Sequence, residues 1–381
     1  MSYEENNFPV DDIRISMSST RKGHPFLLGS LLITATSFIA GFALLYFFFR
    51  LHNRNDRDNE PSKSRPTKIV YAFFHPRASG GGGGERVLWK IIQFLQCKGN
   101  GNGIPGNSVS GNSNNGDGND DEIIIYTIDP QSTNEVDLRL DAERRFDVNI
   151  PRPVRLVSLD RYKEYLAPRP LFSLVMESFG TMKLAQRALL EQRLERPSAL
   201  SDGSEFVFCD TTGCAFTYAV IRWMCPARTT RILAYVHYPT ISTDMMLWEW
   251  KRAEIFSLNR RIKAVIKLIY YYIFSIAYGL CGSLADLVLV NSTWTYDHIN
   301  GLWRFGSQPI RIVYPPCRVP SNVDDDNHYA LQETTRHREN TIISIGQFRP
   351  EKNHTLQIQA LSILFTSHPE LKAMVPTSNA A

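Results

Sequence analysis

Five consecutive glycines, Gly80 to Gly84, lie between an apolar run, Lys68 to His75 (KIVYAFFH), and a segment that begins Glu85-Arg86-Val87-Leu88-Trp89. Val87, Leu88, Ile91, Ile92 and Leu95 recur at helical spacing, so the order reads strand, glycine loop, helix. Glycines at such a junction let a ligand approach the backbone, and the helix N-terminus behind them attracts phosphate; a plain flexible loop is the competing reading. No Gly-Lys-Ser/Thr follows, which excludes a P-loop, and a GxGxxG frame begun at Gly80 puts Glu85 where the last glycine belongs. His237 ends a second apolar strand, in Tyr235-Val236-His237-Tyr238-Pro239. The end of a strand in an α/β sheet is where ligands bind, although a satisfied structural histidine fits there equally well. Arg349 and Lys352 stand in GQFRPEKN, Gly346 to Asn353. One offers a planar fork and the other a point charge, both suited to a diphosphate; an exposed basic loop is the alternative.

Other patterns argue against chemistry. Asp-x-Asp, which would suggest a metal-dependent sugar transferase, occurs at Asp56 to Asp58 and Asp324 to Asp326, but both lie in polar linkers instead of at strand ends. No metal is expected. The six cysteines have no CxxC spacing and no histidine at a zinc-site interval. They read as reduced, mostly buried thiols of a cytosolic domain. Lys+Arg minus Asp+Glu is 42 − 38 = +4, too small a balance to argue for nucleic acid.

The elements that must position these residues alternate. Strand candidates are Lys68 to His75, Ile123 to Ile128, Phe206 to Cys209, Ile232 to His237, Leu287 to Asn291 and Ile310 to Tyr314, with helical patterns between them, notably Leu171 to Leu194. This predicts a doubly wound α/β domain over 68–320. Within it, Lys98 to Asp121 is a Gly/Asn/Ser/Asp tract too poor in apolar residues to offset its ordering entropy, and reads as a disordered insertion. Residues 321–340 read as a linker. Thr341 to Gly346 then reads as a strand and His354 to Phe365 as a helix. One strand and one helix cannot bury a sheet on both faces, so 341–381 reads as the start of a second, incomplete domain.

Phe26 to Phe49 carries no charge. As a helix it would be about 36 Å long, enough to span a bilayer. It is expected to be a retained anchor, with 1–25 as a lumenal tail and 50–67 as a juxtamembrane linker. Arg50, Arg54, Arg57, Lys63 and Arg65 outnumber Arg14, Arg21 and Lys22, which places the C-terminal body in the cytosol. The sequons at Asn291 and Asn353 should then carry no glycan. A second apolar stretch, Ala264 to Val290, follows Arg260, Arg261 and Lys263. It reads as a buried helix plus strand, as a helix lying in the bilayer surface, or less readily as a second span.

Together, HPRASGGGGGERVLW, CDTTGCAF, YVHYPTISTDMM, NSTWTYDHI, VYPPC and SIGQFRPEKNH closely resemble, in order and wording, the dolichol-pathway α-1,2-mannosyltransferase family. The resemblance covers roughly Lys68 to Leu364 apart from the insertion. It implies a GT-B fold of two Rossmann-like domains and a retaining transferase. The implied reaction adds the fourth and fifth mannoses from GDP-mannose to dolichyl-diphosphate-linked Man3GlcNAc2 in assembly of the N-glycan precursor. It also implies a single-pass protein of the endoplasmic reticulum membrane with its catalytic body on the cytosolic side. By the same resemblance, Gly81, Gly82, Gly83, Gly84 and Glu85 lie on the acceptor side of the cleft. His237 lies near the transferred sugar, and Arg349 and Lys352 lie on the GDP diphosphate. Membrane lipid and other dolichol-pathway mannosyltransferases are the implied partners, and no cofactor is required beyond the donor substrate. The family's Glu–seven residues–Glu motif belongs beyond residue 381. The pair here at that spacing, Glu135 and Glu143, sits in a polar helical stretch of the first domain and is expected to be coincidental. A reading of another class stays open: a membrane-anchored fragment without activity that binds the lipid-linked acceptor or partner transferases.

Overall fold

A computed structural model describes Gly41 and residues 68–97, 121–130, 134–169, 172–195, 204–255, 258–317, 342–344, 346 and 352–372. The expected anchor at 26–49 apart from Gly41, the linkers at 50–67 and 321–340, both Asp-x-Asp motifs, nearly all of the 98–121 tract and Arg349 lie outside the described residues. The chain divides into two compact units, Met1–Pro316 and Cys317–Ala381.

Seven parallel strands form the centre of the first unit. They are β1 (Lys68–Phe74), β2 (Glu122–Thr127), β3 (Arg155–Ser158), β4 (Ser204–Asp210), β5 (Thr230–Val236), β6 (Leu287–Val290) and β7 (Ile310–Ile312). Their order across the sheet is β3-β2-β1-β4-β5-β6-β7, every neighbouring pair parallel. Crossover helices cover both faces, so these strands can be apolar throughout. Alternation then sorts the side chains. Val70, Ala72 and Phe74 enter one core, with α3 (Ser173–Glu195), α4 (Phe216–Met224) and α6 (Leu258–Gly282). Phe73 enters the other, with Leu88, Trp89 and Ile92 of α1 (Gly83–Cys97) and Leu138 and Ala142 of α2 (Glu135–Phe146). The register sets Phe74 level with Tyr126 on one side and Asp210 on the other. The carboxyl ends of β1, β2 and β4 therefore form one rim.

The sheet agrees with the expected doubly wound domain in type, with shifts at the ends. β4 is longer than expected, β5 stops one residue before His237, and β7 stops at Ile312. β3 was not anticipated: it is a four-residue edge strand. Ala264 to Val290 is the helix-plus-strand alternative, since α6 runs to Gly282 and β6 follows. By length and composition Arg261–Gly282 would suffice for a membrane crossing. Its second half, with Phe274, Ala277, Tyr278 and Cys281, instead packs in the soluble core.

Two further helices complete the first unit: α5 (Thr243–Ile255), which pairs with α6, and α7 (Thr293–Leu302), capped by Ser292 Oγ accepting from Thr295 N at 3.2 Å. A buried Arg222 on α4 ties the sheet's second half together. It donates to Asp286 Oδ2 at 2.6 Å, to Leu284 O at 2.9 Å and to Thr230 O at 3.2 Å. In the second unit the expected helix is α8 (His354–Ser367), followed by α9 (Pro369–Lys372). The expected strand is not there: Ile342, Ile343, Ser344 and Gly346 are in no strand. No strand among the described residues of this unit offers a partner, and an unpaired strand has no ladder to hold it.

Candidate functional site

Strand order reverses between β1 and β4. From β1 the chain adds strands outward on one side, and from β4 on the other, which leaves a crevice at the carboxyl rim where the connections diverge. Three polar residues follow strands at this end of the sheet: His75 after β1, Thr211 after β4 and His237 after β5. His75 is 4% exposed and Thr211 is fully buried. His75 Nδ1 lies 2.6 Å from Thr211 Oγ1, a hydrogen bond that bridges the crevice floor. His75 Nε2 faces Glu85 Oε1 at 3.6 Å, a contact longer than a hydrogen bond.

The glycine run is held at both ends. Before it, Ser79 donates through N and Oγ to the two carboxylate oxygens of Asp129, at 2.8 and 2.7 Å, while Ser79 O accepts from Arg145 at 3.0 Å. After it, α1 begins at Gly83 with Glu85 in its first turn, where the helix dipole favours an acid. None of the five glycines has a positive φ; the sole described glycine that does is Gly213, at 79°. What they supply is room. A Cβ on Gly80 or Gly82 would lie 2.6 or 2.7 Å from a Glu85 carboxylate oxygen. One on Gly83 would meet nothing within 4 Å, and one on Gly84 would lie 3.5 Å from His237 Nε2 and 3.9 Å from His75 Cε1. The loop therefore folds around Glu85 and leaves an open space in front of two imidazoles.

His237 is half-buried, its ring 4.8 Å from that of Tyr235. Its Nε2 is shielded from solvent and has no hydrogen-bond partner. Burial lowers its pKa below the usual histidine value, His75 adds to the lowering, and Glu85 opposes it. The result is a neutral imidazole whose unpartnered nitrogen borders the glycine loop, a place for a ligand hydroxyl or oxygen. His75 holds the Glu85 carboxyl below the usual range, against burial.

Asp210 is a decoy. Burial raises its pKa, which often marks a catalytic acid. Its Oδ1, however, accepts from Thr212 N, Thr212 Oγ1 and Gly213 N at 2.8, 2.8 and 3.2 Å, and its Oδ2 from Tyr218 OH at 2.7 Å. It is fully buried, and these bonds commit it to shaping the loop behind Thr211. Glu135 and Glu143 also have internal duties, accepting from Val154 N at 2.7 Å and Ile150 N at 3.0 Å. Among the described residues no group of three or more His, Cys, Asp or Glu is arranged to hold a metal. Cys209, Cys225 and Cys281 are buried, Cys214 is intermediate, and Cys97 and Cys317 are exposed. Burial pushes the Cys225 thiol up to about 11.

The structure thus brings together Gly81 to Gly84, Glu85 and His237. Lys352 is exposed in the second unit, just before Asn353, whose Oδ1 caps α8 through Leu356 N at 3.2 Å. Sequence reasoning missed His75 and Thr211. Their signal was available: each directly follows a strand of the same rim, as His237 does.

A doubly wound α/β unit with a glycine loop and a histidine at its switch point has the form of a ligand-binding domain. Residues 68–303 match the family described as "ALG11 mannosyltransferase N-terminus". The chain belongs to that family. It is 34% identical over 339 residues to the Xenopus laevis protein named GDP-Man:Man(3)GlcNAc(2)-PP-Dol alpha-1,2-mannosyltransferase, covering 87% of this chain and 62% of that relative. The Mus musculus and Homo sapiens proteins of the same name are each 36% identical, over 82% of this chain and 56% and 58% of their own lengths. The chain therefore spans about three-fifths of the curated relatives it matches. Among solved structures, the N-terminal domain of Candida albicans trehalose-6-phosphate phosphatase is 10% identical with a TM-score of 0.34, over 67% of this chain and 50% of that one. So distant a likeness adds nothing to the fold assignment.

Proposed function

We propose that the whole protein is a retaining GT-B mannosyltransferase. It adds the fourth and fifth, α-1,2-linked mannoses from GDP-mannose to Man3GlcNAc2-diphosphate-dolichol. It works at the cytosolic face of the endoplasmic reticulum, behind an N-terminal anchor at 26–49, with dolichol-linked substrate and membrane lipid as partners and other mannosyltransferases of the pathway as neighbours. The reading rests on family membership, on the names its relatives carry, and on one observation: the unpartnered His237 Nε2 beside the Gly81 to Gly84 loop at the sheet's switch point.

In this reading the first unit holds the acceptor, with Glu85 and the glycine loop lining its side, and the second domain holds the donor. As the bond to GDP breaks, negative charge grows on the β-phosphate. Arg349 and Lys352 supply fixed cations there, which stabilise the transition state more than the ground state. His237, neutral at pH 7, hydrogen-bonds the transferred sugar without adding charge. Front-face attack with retention requires the acceptor hydroxyl beside the leaving phosphate, so positioning carries a large share of catalysis.

The test is transfer by the purified full-length protein from GDP-mannose to lipid-diphosphate-linked Man3GlcNAc2. Two mannoses, both released by an α-1,2-specific mannosidase, are expected, and Lys352→Ala should weaken donor use. Preference for another nucleotide sugar, or mannose in a resistant linkage, would overturn the reading.

A further inference from the structure

Next to His237, three side-chain rings stand in series. Tyr238 lies 5.0 Å from Trp294, centroid to centroid, with the planes 22° apart, and Trp294 lies 3.9 Å from His298 at 31°. Tyr238 is nevertheless 57% exposed, whereas Trp294 and His298 are half-buried. A lone exposed tyrosine is ordinary. One held against a second ring, which is held against a third, has its orientation set before any ligand arrives, so a ligand that stacks on it loses little by ordering it.

The strand ends fix where this stack stands. β5 and β6 pair with Val236 level with Val290, so the loops that leave them emerge side by side at the crevice end of the sheet. Tyr238 follows β5 by two residues, and Trp294 is the second residue of α7. Thr295 Oγ1 lies 2.6 Å from Asn291 Oδ1 and 3.4 Å from His237 O, which ties the start of α7 to the loop after β5. A Cβ on Gly213 would lie 3.6 Å from Tyr238 O, so the loop after β4 approaches the same backbone closely. His298 is fixed at both ring nitrogens. Its Nδ1 lies 2.8 Å from Trp294 O, and its Nε2 faces Oδ2 of Asp244, in the first turn of α5, at 3.5 Å.

We propose that Tyr238, held by Trp294 and His298, is the floor of a pyranose subsite on which one sugar ring of the acceptor stacks beside His237. This rests on the reading above that the acceptor is a lipid-linked glycan. A pyranose has a face of C–H groups that packs on an aromatic ring, while its hydroxyls stay at the edge for polar partners. Asp244 keeps a carboxylate beside the stack, which disfavours a phosphate there. A nucleotide base also stacks on aromatic rings, but the place does not suit it. In the donor, a ribose and two phosphates separate the base from the transferred sugar, and Tyr238 directly follows His237, which the reading sets near that sugar. Stacking also fits two successive additions. The two acceptors differ by one mannose, and a ring face carries no directional bond, so a single floor serves both.

The experiment compares the full-length protein with its Tyr238→Ala and Tyr238→Phe variants. Saturation-transfer NMR with lipid-free Man3GlcNAc2 reads binding without turnover. Transfer to the lipid-diphosphate-linked glycan is then measured with each substrate varied in turn. Wild type and Tyr238→Phe should saturate the sugar C–H protons, and Tyr238→Ala should not. Tyr238→Ala should raise the acceptor KM about 5- to 10-fold, with kcat, the GDP-mannose KM and Tm little changed, and Tyr238→Phe should restore it. Tyr238→Leu, which keeps a side chain against Trp294 without a ring, replaces Tyr238→Ala if that variant lowers the Tm. No C–H saturation in the wild type, equal saturation in the ringless variant, or an unchanged acceptor KM would each overturn the proposal. So would a rise in the GDP-mannose KM instead, which would give the stack to the base, or an equal loss in Tyr238→Phe, which would give the role to the hydroxyl. Saturation that depends on the Tyr238 ring in a protein that transfers no mannose would overturn the proposed activity and support the subsite.

Discussion

Gly84→Ala separates the fold of the candidate site from its use. The added methyl would sit 3.5 Å from His237 Nε2 and 3.9 Å from His237 Cδ2 and His75 Cε1. These are ordinary van der Waals distances, so the substitution introduces no clash. Gly84 has no positive φ and is the second residue of α1. Alanine there should stabilise the fold by about 0.5–1 kcal/mol through helix propensity and a less flexible unfolded chain. The same methyl fills the space through which a ligand oxygen would approach Nε2 to about 2.9 Å. Blocking that bond leaves the buried imidazole nitrogen unpaired, at a cost of about 1–3 kcal/mol, which is roughly 5- to 150-fold in rate. The assay pairs thermal unfolding with kcat/KM for mannose transfer by the full-length protein. The expected result is an unchanged or raised Tm with a fall in kcat/KM in that range. Undiminished kcat/KM would refute the idea that the space before the imidazoles is used. A clearly lowered Tm would refute the claim that the loop's glycines serve room and not backbone shape.

His237 should titrate below its usual value of about 6.5, because burial disfavours its charged form; its share of stability is then present above 6.5 and lost as pH falls through the lowered pKa. Glu85→Gln removes an opposing charge and should move the His237 midpoint lower still in a proton NMR titration, so a midpoint above 6.5, or an upward move, counts against this electrostatic picture. Gly180→Ala on α3 sets a helix-propensity gain of about 1 kcal/mol against a Cβ placed 2.0 Å from Tyr165 O. Backbone cannot step aside cheaply and overpacking costs about 1–3 kcal/mol, so denaturant unfolding should show a net loss, and a gain would mean α3 stands off from Tyr165. Replacing residues 98–120 by a five-residue linker shortens the α1–β2 connection about fourfold and should stabilise the domain by about 1 kcal/mol, since each halving of a loop returns about 0.6. The replacement should spare Asp121, whose Oδ1 accepts from Ile69 N at 3.1 Å; a large stability loss would show that the tract packs on the domain.

The central strands were legible because a parallel sheet covered on both faces leaves long apolar runs, as in KIVYAFF and EIIIYT. β3 was not, because an edge strand of four residues with a half-exposed arginine carries too little pattern. The Ile342–Ile343 pair looked like a strand because local composition cannot reveal whether a partner strand lies alongside. In the site, the glycine run and His237 announced themselves by position, but the purpose of the glycines did not. Room for the Glu85 carboxylate depends on where that side chain turns. His75 was hidden inside a strand-ending HPR, and Thr211 inside CDTTG. Their bond joins residues 136 positions apart, a relation that follows from strand order and from no local spacing. Asp210 shows the opposite failure: a perturbed acid that seems functional until its hydrogen bonds are traced.

The His75–Thr211 bridge also bears on how the protein is made. As the chain leaves the ribosome, β1, the glycine loop, Glu85, β2 and β3 emerge first, and β1 is an open edge until β4 arrives to pair along its length. Such an edge recruits other strands, and pairings this distant in sequence form slowly. The crevice has no floor until β4 docks, and no His237 until β5 follows. Any ligand that needs both imidazoles can bind only a sheet that has already closed through its middle. By mass action it then stabilises the finished domain alone. Binding competence thereby reports a sheet closed through its middle, and a nascent chain holding only the first three strands has the glycine loop and His75 but no His237.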